Sequence, residues 1–170
     1  MNVRKPRRII LTLLLTSLSI LFIVLTILNM ENLRVSDEFQ KMETVKIMIV
    51  NDENQVLELE VKVADEPDER AAGFQNIGRS IIEKTLIIFV FPSEISGLFH
   101  MRNVEASLDI AFVKANGTII EIIRMDPDPN RLYGPNESFK YAIEAPAGFF
   151  EEKRITPGKS KLLTESIPSG

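Results

Sequence analysis

The sequence predicts a β-rich α+β domain, its antiparallel strands curled into a barrel- or sandwich-like body, carried behind one N-terminal transmembrane helix. Three observations predict it. An uncharged apolar run lies near the N-terminus; apolar and polar residues alternate with period two from Thr44 onward; and an Asn116-Gly117 pair, the strongest short hairpin signal in the chain, separates two apolar stretches.

The apolar run covers residues 9–30 and follows Arg4, Lys5, Arg7 and Arg8. As a helix it would be about 33 Å long at ~1.5 Å per residue, enough for a hydrocarbon core of about 30 Å. Its hydroxyls, at Thr12, Thr16, Ser17, Ser19 and Thr26, are expected to bond back to carbonyls one turn earlier. The run is longer than a signal-peptide core and ends without a small-x-small cleavage pattern. The expectation is an uncleaved anchor over 9–30 behind a basic tail over 1–8. The basic excess places the N-terminus in the cytoplasm and the rest of the chain outside.

The chain holds 20 basic and 24 acidic residues, a net charge of −4. Without the four basic residues of the tail the remainder carries −8, which argues against nucleic acid as a partner. There is no cysteine, so the domain must hold by its core alone, and thiol chemistry and a lipidated-cysteine anchor are both excluded.

Residues 31–43 read as a charged linker, and 44–166 as the exported domain. Residues 45–50 and 57–63 predict two strands joined by a hairpin loop at 51–55. Residues 65–74 predict a short helix with Asp65 as N-cap, Pro67 in the first turn and Gly73 or Gly78 at its end. Residues 86–91 are continuously apolar, a buried strand stopped by Pro92. Strands follow over 98–103, 108–113, 118–125 and 138–144, with a last one near Lys161. A Pro-rich loop over 126–137 is long enough to suggest function.

Several of these stretches together resemble the bacterial and archaeal domain of unknown function 192 family. The run Ala64-Asp65 through Glu69-Arg70-Ala71-Ala72-Gly73-Phe74 is similar to its "A-(D/T)-x-P-x-E-R-x-x-G-L-M" opening. His100-Met101-Arg102-Asn103-Val104 with Leu108-Asp109-Ile110-Ala111-Phe112 resembles "W-M-K-N-T-x-x-P-L-D-I-x-F". Tyr141 to Glu144 and Ala147-Gly148 resemble "Y-V-L-E-x-N-A-G". Here His100 replaces tryptophan, Arg102 lysine, Ser107 proline and Pro146 asparagine. The cysteine that many members carry in the long loop is missing. The resemblance implies a fold and candidate residues. It implies no settled reaction. Arg70, Gly73, Met101 and Gly148 are its structural positions.

The candidate functional cluster is His100, Arg102, Asn103, Asp109 and Glu144. Arg102 has the planar fork that holds carboxylate or phosphate, and Asp109 with Glu144 is suited to acid–base work or a hard cation. The competing reading is structural, with Asn103 and Asp109 bonding turn backbone and Asp109 paired with Arg102 or Arg70. One histidine and no cysteine rule out a histidine-rich zinc site, and neither a metal nor a cofactor is expected. No nucleophile elbow or phosphate-binding glycine loop occurs. Asn116 and Asn136 stand in N-glycosylation patterns. The expected function is a membrane-anchored binding module for a small ligand or an envelope partner, more a binder than an enzyme. The alternative is a carboxylate- and metal-dependent hydrolase using Asp109, Glu144 and Arg102.

Overall fold

The structure, a computed structural model, describes residues 5–32 and 34–167. Helix α1 (Lys5–Asn32) contains a 21-residue span, Ile10–Met30, with mean hydropathy 2.7 and no residue buried against the rest of the chain. This is one helix apolar and long enough to cross a membrane. The hydroxyls of Thr16, Ser17, Ser19 and Thr26 donate to the carbonyls of Leu13, Leu14, Leu15 and Phe22, so each is satisfied within the helix. Arg4 of the expected basic tail lies outside the described residues.

Seven strands form one sheet in the order β6-β5-β8-β3-β2-β1-β9. They are β1 (Thr44–Val50), β2 (Val56–Ala64), β3 (Ile87–Ile95), β5 (Leu108–Val113), β6 (Ile119–Met125), β8 (Phe139–Pro146) and β9 (Lys161–Leu163). A separate two-stranded ribbon joins β4 (Phe99–His100) to β7 (Leu132–Tyr133). Pairing is antiparallel except between β2 and β3. The crossover between those two carries α3 (Pro67–Ala72) and α4 (Arg79–Ile82). Two further short helices are α2 (Asp37–Lys41) and α5 (Phe149–Glu152).

The sheet curls until its two ends meet. Thr118, just before β6, bridges to Lys161 of β9, and the Leu162 N–H donates to the Gly117 carbonyl at 2.9 Å. Gly117 (φ +85°) turns the β5–β6 connection, and a Cβ there would collide with the Leu162 carbonyl oxygen. Inside the curl, Ile47, Ile49, Val61, Ile88, Ile143 and Leu162 are fully or nearly fully buried. A second core on the outer face gathers Phe74, Ile87, Phe89, Ile110, Phe112 and Phe139, together with Phe39 and Ile82 from two of the short helices and Tyr133 from the ribbon.

The β-rich fold expected from the pattern is present, with local corrections. Part of the expected linker packs into the domain: Ser36 caps α2, whose Phe39 is 3 % exposed and whose neighbour Met42 is 2 % exposed. Burying one such aromatic contributes about 2 kcal/mol, enough to fix a five-residue helix that propensity alone would not hold. The cap of α3 is Glu66 rather than Asp65, with the Glu66 N–H donating to Glu69 Oε2 at 3.3 Å. Strand β3 runs through Pro92 because its pairing with β8 slips between Val90 and Ile95, where no ladder N–H is required. The strand expected over 98–103 shrinks to Phe99–His100, and the expected long loop contains its partner β7.

Candidate functional site

A cavity of about 320 Å³ opens between the C-terminal end of α3 and the outer face of the sheet. Phe89 and Phe91 line it from β3, Phe99 and His100 from the ribbon, and Leu98 from just before the ribbon. The rings form an edge-to-face group: Phe89 and Phe99 stand 5.2 Å apart, and Phe99 reaches Phe112 at 5.7 Å.

Glu144 is the one acidic residue in this lining. It sits mid-sheet on β8, with Ile87 opposite on β3 and Ile110 opposite on β5. Its side chain faces the outer core, is 5 % exposed, and is neither hydrogen-bonded nor ion-paired among the described residues. Burial alone raises its pKa from 4.5 to about 8, so the carboxyl is mostly protonated at neutral pH. Gly73 makes this space possible. It ends α3 with φ +46°, and a Cβ there would stand 3.3 Å from Phe89 Cζ and 3.8 Å from Glu144 Oε2.

His100 brings the second polar group. Its Nδ1 is buried without a hydrogen-bond partner among the described residues, while its ring lines the cavity. Such an atom costs roughly 1–3 kcal/mol until something bonds it. Arg70 also lines the cavity, but its guanidinium is committed. It donates to the carbonyls of Asp65 and Val90 and lies 5.5 Å from the Phe91 ring centre.

The other candidates fall elsewhere. Asp109 pairs with Ala145 across the β5–β8 ladder, and Ala145 belongs to the interior core, so Asp109 and Glu144 point to opposite faces. Asp109 forms an ion pair with Arg124, its cross-strand neighbour on β6, and accepts a 2.6 Å hydrogen bond from the Gly148 N–H. Its partner is therefore neither Arg102 nor Arg70. Arg102 is exposed in the turn after β4, without an ion pair among the described residues. Asn103 (φ +56°) shapes that turn, and its carbonyl accepts from the Asn76 N–H. Met101 is core, 2 % exposed. Among the described residues no cluster of three His, Asp or Glu side chains is placed to hold a metal ion. Sequence reasoning missed Phe89, Phe91, Phe99 and Leu98 as site residues, because an apolar residue signals only that it is buried.

Residues 47–161 match the family model DUF192, described as an uncharacterized ACR family. A UPF0127 protein of Pyrococcus abyssi is 29 % identical over 114 residues, covering 65 % of this chain and 92 % of the relative. Among solved structures, a candidate transcription regulator of Sinorhizobium meliloti superimposes with a TM-score of 0.65 at 21 % identity, covering 71 % of this chain and 93 % of that one. A protein of unknown function from Novosphingobium aromaticivorans gives the same TM-score at 18 % identity, covering 76 % and 91 %. These two likenesses bear on the fold alone.

Proposed function

Because this chain belongs to the DUF192 family, whose description carries no reaction, we propose from its own site that it is a membrane-tethered small-ligand-binding domain. In this reading α1 anchors the chain in a membrane with its N-terminus in the cytoplasm, and the curled sheet lies on the other side. The ligand occupies the cavity between α3 and the sheet. One observation carries the proposal: the buried Glu144 carboxyl, without an ion pair or hydrogen bond among the described residues, lines one cavity with His100 and with Phe74, Phe89, Phe91 and Phe99, and the buried Nδ1 of that histidine has no hydrogen-bond partner among the described residues. An apolar body with few convergent polar groups is the usual composition of a small-molecule site, and this volume lies at its lower end. The complementary ligand has an apolar body and one hydrogen-bonding group that meets Glu144 and His100.

The hydrolase alternative on Asp109, Glu144 and Arg102 lacks its geometry, since the first two occupy opposite faces and the third is exposed in a turn. Methyl NMR on the full chain in lipid nanodiscs tests the binding reading, with benzamide as the probe. Saturable shifts at Leu98, Val104 and Ile95, absent in Ala71→Trp, are expected; Ala71 is an exposed lining residue, so tryptophan there obstructs the cavity without entering the core. Unsaturable shifts, or equal shifts in the variant, would sink the proposal.

A further inference from the structure

The point where the chain leaves its apolar helix is fastened beside the cavity. Arg34 Nε donates to the Asn76 carbonyl at 2.9 Å, Arg34 Nη2 bonds Glu105 at 2.9 Å, and the Gly78 N–H donates to the Arg34 carbonyl at 2.8 Å. Asn76 and Glu105 adjoin Gln75 and Val104 in sequence, and both of those line the cavity. Arg34 lies four residues after Met30, the end of the apolar span. Even a fully extended segment of that length reaches at most about 14 Å. A domain of this size is on the order of 35 Å across. The tether therefore holds this face of the domain on the membrane side wherever the helix itself points.

The cavity mouth carries exposed apolar side chains. Ala71 and Leu98 are the exposed lining residues and mark the mouth. Leu98 is 62 % exposed and Leu132, on the facing strand of the ribbon, 55 %. Ribbon register puts Leu132 opposite His100, and Leu98 directly precedes the same strand.

We propose that the cavity is loaded from the bilayer, and that its ligand is a single-chain amphiphile with a neutral hydrogen-bonding head, such as an alcohol or amide. This rests on the binding reading above. The chain is held by the phenylalanine walls, the head bonds Glu144 and His100 Nδ1, and Leu98 and Leu132 meet the lipid surface. An anionic head fits less well, because Arg70 is already bonded to two carbonyls, and the small volume suits one chain rather than two.

The absence of cysteine supplies the test, since one introduced thiol can be labelled uniquely. The full chain carrying Leu98→Cys with a nitroxide is placed in phosphatidylcholine vesicles, and its collisions with oxygen and with a water-soluble nickel chelate are compared. Val56→Cys, at the far end of β2 from α3, is the aqueous control. In parallel, wild type is irradiated in vesicles doped with a diazirine-bearing hexadecanol. Oxygen preference at position 98 but not at 56, together with crosslinks on residues 86–104 that Ala71→Trp reduces at least fivefold, is the expected result. If benzamide binds but position 98 is as aqueous as 56, or no such crosslink forms, loading from the bilayer is wrong and the binding reading survives. If neither benzamide nor the amphiphile binds, both fall together.

Discussion

Asp109 and Glu144 stand one register step apart on adjacent strands and point to opposite faces of the sheet. The two buried carboxyls of the domain therefore do different work. Asp109 ties strand β6 and the turn at Gly148 to β5, whereas Glu144 faces a cavity and has no hydrogen bond or ion pair among the described residues.

Asp109→Asn is expected to destabilise the fold and leave the cavity intact. Asparagine keeps an acceptor for the Gly148 N–H but loses the charge facing Arg124. Arg124 is half exposed, so solvent screens the pair and the loss is about 1–2 kcal/mol. Thermal melts read the loss, and unchanged benzamide titrations read the cavity. Weakened benzamide binding in a well-folded variant would contradict the separation of the two faces.

Glu144 gives stability a particular pH dependence. Its folded pKa of about 8 lies above the ordinary 4.5, so between these values the folded state holds a proton the unfolded chain has released. Its contribution is complete below about pH 4.5, declines as pH rises, and is lost once pH passes about 8. Glu144→Gln removes this titration. Urea denaturation at pH 5 and pH 8 should show the variant gaining on wild type by on the order of a few kcal/mol across the interval. A difference that stays constant with pH would show that Glu144 is ionised throughout.

His100→Trp installs the residue that the family pattern carries at this position. The larger ring should fill part of the cavity, remove the unpartnered Nδ1 and weaken benzamide binding at least tenfold, with the melting temperature equal or higher. Retained binding at wild-type strength would place the ligand elsewhere.

Gly117→Ala should open the seam of the curled sheet. The new methyl collides with the Leu162 carbonyl, and a left-handed φ adds roughly 1–2 kcal/mol of backbone strain. Loss of at least about 2 kcal/mol is expected by urea titration, with the amide of Leu162 losing its hydrogen-exchange protection. Unaltered protection there would show that the seam does not depend on the turn.

The membrane reading predicts that alkaline carbonate leaves the full chain in the membrane fraction. Protease added outside intact spheroplasts should remove the domain. A soluble, shortened chain would replace the anchor with a cleaved leader.

What the sequence made legible was local. Strands β1, β2 and β9 and the turn at Asn116-Gly117 were readable because alternation and turn chemistry act over a few neighbouring residues. Phe39 and Met42 were not, because two apolar residues in a charged segment carry no period and only the core they enter makes them structural. Nor did Pro92 reveal that β3 continues beyond it, since the slip that tolerates proline belongs to the pairing with β8. Arg124 was missed as the partner of Asp109 because cross-strand register joins residues with no local signal between them. Of the candidate cluster, Glu144 and His100 come together, and the aromatic walls that complete their surroundings are assembled from β3 and the ribbon.

The pairing of β1 with β9 has a consequence in time. Ile49 lies opposite Leu162, so β1 has one open edge until β9 has been made. That partner is only three residues long, and a contact spanning almost the whole domain carries a large loop-closure cost. On a chain made from its N-terminus, the interior core stays unsealed until β9 has been made, so closure of the curl is a late step in folding. A truncation that removes β9 should therefore yield a chain that exposes the edge of β1 and associates with itself through it.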